Sequence, residues 1–127
     1  MPRTVISTDK APGAIGPYSQ AVDCGNLIFT SGQLPIDMAT GEIETADIKK
    51  AARHSLDNVK TILEAAGSSM AKIVKTTVFL TDMNDFAAVN EVYASYFDAA
   101  PPARSCVAAA ALPKGAAVEI EVVAVKD

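Results

Sequence analysis

The sequence contains no tryptophan, one histidine, His54, and two cysteines, Cys24 and Cys106. Each scarcity removes a class of chemistry. The cysteines form no metal-ligand spacing, and a lone histidine leaves neither a zinc site nor a histidine-based triad to build on. Two cysteines fit a reduced, cytoplasmic protein better than a disulfide scaffold. Lysine and arginine nowhere cluster. Charges of both signs are spread along the chain and net −4, so duplex nucleic acid finds no electrostatic footprint. No charge-free run reaches the roughly 18 residues of a membrane-spanning helix. The start, Met1-Pro2-Arg3-Thr4, lacks the basic-then-apolar pattern of a signal peptide.

What is present suits one folded domain over residues 1–127, half hydrophobic and a fifth charged. Thr4-Val5-Ile6-Ser7-Thr8 reads as a short strand. A loop rich in proline and glycine follows, from Ala11 to Gln20, with Tyr18 after Pro17; a core-capping and a functional role weigh equally for that tyrosine. Ala21-Val22-Asp23-Cys24 and Leu27-Ile28-Phe29-Thr30 flank Gly25-Asn26, a two-residue hairpin signal. Ser31-Gly32-Gln33 ends the second strand, and Gly32 lets another group approach the backbone.

Ile48, Ala52, Leu56, Val59, Ile62, Leu63 and Ala66 recur at helical spacing, with Thr45 or Asp47 as cap and Gly67 as stop. His54 falls between the two faces of this helix and reads as structural. Ile73 to Leu80 is rich in β-branched residues and reads as a strand. Asp82 is expected to cap a second helix whose stripe is Phe86, Val89, Tyr93 and Tyr96 or Phe97. Asn90 falls on that stripe, where an amide needs a partner.

The last stretch carries the chemistry. Pro102-Ala103-Arg104-Ser105-Cys106-Val107 and Ala117 to Val125 read as two strands, expected to be antiparallel neighbours across Leu112-Pro113-Lys114-Gly115. Arg104 and Cys106 point the same way on a strand. In one parity of the pairing register, Glu119 or Glu121 joins them, bringing together a guanidinium, a thiol and a carboxylate. Arginine grips carboxylates through two parallel hydrogen bonds. The blander alternative is a surface ion pair between Arg104 and a glutamate, with Cys106 as a small buried hydrophobe.

Strand, strand, strand, helix, strand, helix, strand, strand predicts an α+β domain with a sheet of about six strands and both helices on one face. The opposite face keeps apolar residues that need cover, which predicts a closed homo-oligomer.

Ala14-Ile15-Gly16-Pro17-Tyr18, Thr30-Ser31-Gly32-Gln33, Val74-Lys75-Thr76-Thr77-Val78-Phe79, Asn84-Asp85-Phe86 and the whole run from Pro102 to Ile120 resemble the Rid family of reactive-intermediate deaminases. Its members are also called YjgF-like proteins or L-PSP endoribonucleases. The resemblance covers essentially the whole chain. It implies a chorismate-mutase-like fold, a mostly antiparallel sheet, and a homotrimer with clefts between subunits. It implies hydrolysis of 2-imino and enamine acids, such as 2-aminoacrylate, 2-iminopropanoate and 2-iminobutanoate, to 2-keto acids and ammonia, a hydrolase acting on C–N bonds without metal or cofactor. By position, Arg104 matches the carboxylate clamp and Glu119 the glutamate near the reacting carbon. Tyr18, Ser31, Gly32, Asn90 and Cys106 match residues lining the cleft. The alanine run 108–111 departs from some relatives and bears on substrate size. Two other functions remain open at this level: a regulatory module that binds small carboxylates without turnover, and a ribonuclease or translation inhibitor, which the acidic charge disfavours.

Overall fold

The computed structural model describes residues 3–126. The strands are β1 (Thr4–Ile6), β2 (Ala21–Asp23), β3 (Leu27–Thr30), β4 (Ile73–Leu80), β5 (Ala103–Ala108) and β6 (Val118–Val125), and the helices are α1 (Ile48–Ala65) and α2 (Phe86–Ala94). The six strands form one sheet in the order β1-β2-β3-β6-β4-β5. Every pairing is antiparallel except β4 with β5. The α+β class and the mostly antiparallel sheet therefore hold. Among the described residues, no helix is long and apolar enough to cross a membrane.

Local chemistry accounts for the elements. Gly25-Asn26 turns the β2–β3 hairpin, with Gly25 at φ 109° and Cys24 N–H donating to the Leu27 carbonyl. Asp47 caps α1, its Oδ1 accepting from the Lys49 and Lys50 backbone N–H groups at 3.0 and 3.2 Å. Gly67, at φ 84°, ends it. Leu56, Val59, Ile62 and Leu63 are fully buried against the sheet, each contributing about 1.5–3 kcal/mol of burial. Asp82 does not cap α2 itself. Its carboxylate caps the 3-10 turn Met83–Asp85 that leads into the helix. Tyr96 and Phe97 lie beyond the end of α2 but still pack on the core. His54 Nε2 stands 3.9 Å from Asp37 Oδ2, a contact between α1 and the preceding loop.

Ser55 is fully buried in α1 and its Oγ has no hydrogen-bond partner. Ser55→Ala removes an unsatisfied hydroxyl and adds the better helix former. We expect it to stabilise the fold by about 1 kcal/mol, read as a rise in denaturation midpoint.

One expectation is overturned. β5 and β6 are not neighbours, because β4 lies between them. The β4–α2–β5 crossover makes a parallel pair and seats β5 on one side of β4. β6 takes the other side. Its helix-facing residues Val118, Ile120, Val122 and Ala124 are all buried, so it belongs at the sheet centre. The more exposed β5 forms the edge.

Both helices cover one face. Ile28, Thr76, Val78, Leu80 and the four apolar positions of β6 point toward them. The other face carries Val22, Phe29, Thr77, Phe79, Val107, Val123, Lys75, Glu119 and Glu121. Phe29 and Val107 are each 45% exposed there, and among the described residues no element covers them.

Candidate active site

Most of the candidate residues divide between two recesses, one beside Glu119 and one beside Arg104. Glu119 opens the first. It pairs with Phe79 in the β4–β6 register and so points to the uncovered face. A bridge between Gln33 and Ile120 draws the end of β3 alongside: Gln33 N–H donates to the Ile120 carbonyl at 2.7 Å, and Ile120 N–H returns to Gln33 at 3.2 Å. Gly32 then lies under the Glu119 carboxylate. A Cβ on Gly32 would stand 2.0 Å from Oε2, so any side chain there would expel the carboxylate.

Ser31 ties this region to the loop at 11–20. Its Oγ donates to the Ser19 carbonyl at 2.5 Å and its N–H to the Gln20 carbonyl at 2.9 Å. Tyr18 is thereby held at the rim, half exposed. Of its two readings, core cap and cleft lining, it takes the second. The cavity measures about 800 Å³. Tyr18, Ser31, Gly32 and Glu119 share it with apolar walls from Ile15, Ile36 and Met38. Lys114, in the left-handed conformation at φ 59°, joins the lining. Burial raises the Glu119 carboxyl above the usual range, and the neighbouring Glu121 charge adds to the effect.

Arg104 opens the second recess. It pairs with Thr76 across β4–β5 and so shares the helix-side face. Its Nη1 donates to Asn90 Oδ1 at 2.5 Å. Its guanidinium carbon lies 4.8 Å from the Tyr93 ring centroid and 5.4 Å from that of Phe86, a cation–π arrangement. Arg104 is exposed at the sheet edge and, among the described residues, makes no ion pair. The surface pair with a glutamate does not form. A cavity of about 500 Å³ adjoins it, lined also by Asn90, Tyr93, Phe97 and Asp98. Cys106 lies two residues along the same face. Burial pushes its thiol up, and the Arg104 charge opposes that only in part. The sulfur stays protonated and is no ready nucleophile.

Within one chain, then, Arg104 and Cys106 do not share a face with Glu119 or Glu121. β4 separates them, and the two registers offset Arg104 from Glu119 by three β4 residues, Thr76 against Phe79. An odd offset means opposite faces. Tyr18, Ser31, Gly32 and Glu119 form one half and Asn90 and Arg104 the other, while Cys106 lines neither cavity and packs against the core. The sequence reading missed Phe86 and Tyr93 as partners of Arg104. The usable signal was their spacing from Asn90, four before and three after, which sets all three on one helix face. The alanines at 108–111 line neither cavity. Among the described residues no group of histidine, cysteine and carboxylate side chains could hold a metal ion.

Known proteins share this architecture. The family model described as Endoribonuclease L-PSP matches residues 8–126. A protein of Escherichia coli strain K12 named reactive intermediate deaminase TdcF is 55% identical over 128 residues, covering 98% of each chain. A RutC family protein of Haemophilus influenzae is 58% identical over 126 residues, covering 96% of each. The crystal structure of E. coli TdcF with bound serine superposes with a TM-score of 0.93, covering 98% of this chain and 99% of that one.

Proposed function

Because the chain belongs to the endoribonuclease L-PSP, or Rid, family, we propose that it hydrolyses reactive 2-imino and enamine acids to 2-keto acids and ammonia. The clefts would be completed between protomers of a closed homotrimer. One observation carries this reading: among the described residues the Arg104 guanidinium is held only by neutral groups, an amide and two rings, beside a cavity. A cation so arranged is fitted to receive a carboxylate. Serine, the molecule bound in TdcF, has a carboxylate next to a nitrogen-bearing carbon. The proposed substrates, 2-iminopropanoate with its enamine 2-aminoacrylate and 2-iminobutanoate, have the same arrangement.

The two halves need each other. Arg104 of one protomer would fix the substrate carboxylate, and Glu119 of the next would stand over the imine carbon. The uncovered apolar face, with Phe29 and Val107, supplies surface for such an assembly. The iminium carbon is already electrophilic, so the work is orientation. Water attacks that carbon and gives a proton to Glu119 as the C–O bond forms. The proton passes to nitrogen; as the C–N bond breaks, the carbinolamine hydroxyl gives its own proton to Glu119, and that proton leaves with ammonia as ammonium, giving the 2-keto acid. Gly32 leaves room for the carboxylate to do this. Tyr18 and Ser31 line the Glu119 side and Asn90 the Arg104 side; Cys106, next along the Arg104 strand, would contribute through its backbone more than its thiol.

The test couples a threonine or serine dehydratase to the protein and follows keto-acid release above the spontaneous rate. With Glu119 as base, the rate should rise with pH as its carboxyl loses the proton. Because burial raises that carboxyl, the midpoint should lie above the usual carboxylate range. Glu119→Gln should lower the rate roughly 100-fold and erase this limb. Carboxylate binding with no rate above the spontaneous one would leave a non-catalytic binding module instead.

A further inference from the structure

We infer that Tyr93 is a positioning residue for Arg104, and that the buried hydroxyl of Thr76 holds Tyr93 in place. The inference rests on the proposed reading of Arg104 as the carboxylate clamp. Thr76 and Arg104 are direct partners across β4 and β5, so both rise from the sheet side by side. Tyr93 descends on them from α2. Its hydroxyl shares a hydrogen bond with Thr76 Oγ1 at 2.8 Å, and its ring lies 4.8 Å from the Arg104 guanidinium carbon. One tyrosine thus touches both members of a single strand pair.

The polar contact is not needed to fill space. Thr76 is fully buried and Tyr93 is 6% exposed, among apolar neighbours. A phenylalanine facing a valine would pack there with no hydroxyl to satisfy. What the bond adds is the height and tilt of the ring. Phe97 braces the ring from a further side, its centroid 4.7 Å away. The guanidinium then rests on a surface tethered to the strand residue beside its own, while Asn90 takes up one donor. Arginine is long and loses much rotamer freedom when it grips a ligand. A side chain already shelved and hydrogen-bonded loses less, so it binds more tightly. The exposed position of Arg104 at a sheet edge makes such support necessary.

The test uses Tyr93→Phe, Thr76→Val and the double variant in the full chain. Two measurements are made: steady-state kinetics on enzymatically generated 2-iminobutanoate, and binding of 2-oxobutanoate by calorimetry. Each single variant should raise KM and Kd about five-fold with kcat within about two-fold of wild type, the weight of one buried hydrogen bond. The double variant should be no worse than either single, because both remove the same bond. A merely structural pair would lower the melting temperature and leave KM and Kd alone, which would overturn the inference. Tyr93→Phe keeps the ring, so it carries the readout if Thr76→Val fails to fold. Arg104→Ala is the control. If it binds 2-oxobutanoate like wild type, the clamp itself is wrong. If it does not bind while both hydroxyl variants do so normally, only the role of Tyr93 and Thr76 falls.

Discussion

Arg104→Ala is expected to lower kcat/KM for 2-iminobutanoate by roughly 100- to 1,000-fold, the range lost when one partner of a desolvated, hydrogen-bonded charge pair is removed. Both KM and kcat should suffer, since in the proposed role the clamp would both hold the substrate and aim its C=N carbon. The fold should survive. Arg104 is exposed and makes no ion pair among the described residues, so unfolding stability should change by about 0.5 kcal/mol or less. Arg104→Lys should recover only part of the loss, because an ammonium offers no planar fork for a carboxylate and stacks poorly on Tyr93 and Phe86. A variant that folds, lacks this guanidinium and still turns over at the native rate would remove the clamp from the mechanism.

The second large effect is a gain. Arg104→Ala and Glu119→Gln should each be nearly inactive alone, below about 1% of wild type by the same charge-pair and acid–base losses. Refolded together in equal amounts, they should regain activity. In a closed ring with each cleft built from two neighbours, a random mixture gives about one cleft in four both native groups. Activity near a quarter of wild type is therefore expected in the unfractionated mixture, and near a third in trimers purified through different tags on the two variants, because each mixed ring then has about one such cleft in three. The physical ground is the opposed facing of Arg104 and Glu119 in a single chain. Mixed assemblies that stay dead would mean that one protomer supplies both groups, which the sheet geometry does not allow without rearrangement.

Much of the molecule was legible before any coordinates. Alternation and helical spacing located every strand and both helices. Gly25-Asn26, Asp47 and Gly67 marked a turn, a cap and a stop that the backbone adopts. Asn90 stood out as an amide on an apolar stripe, and it does have a partner, Arg104. The glycine at 32 announced a close approach, and the Glu119 carboxylate is what approaches. Tyr18 admits two readings in the sequence, core cap or cleft lining, because whether a loop aromatic is covered depends on where the rest of the chain runs. The placing of β5 beside β6 rests on a short connection, yet β4 lies between them.

The sequence alone determined the element types, the face the last strand turns inward, and an arginine whose chemistry suits a carboxylate, because these follow from periodicities of two and 3.6 and from side-chain identity. Only the tertiary structure decided which strands are neighbours. Pairing between distant segments depends on competition for burial at the sheet centre, which no local pattern records. That competition put β6 inside and β5 at the edge, and with them Glu119 on one face and Arg104 on the other.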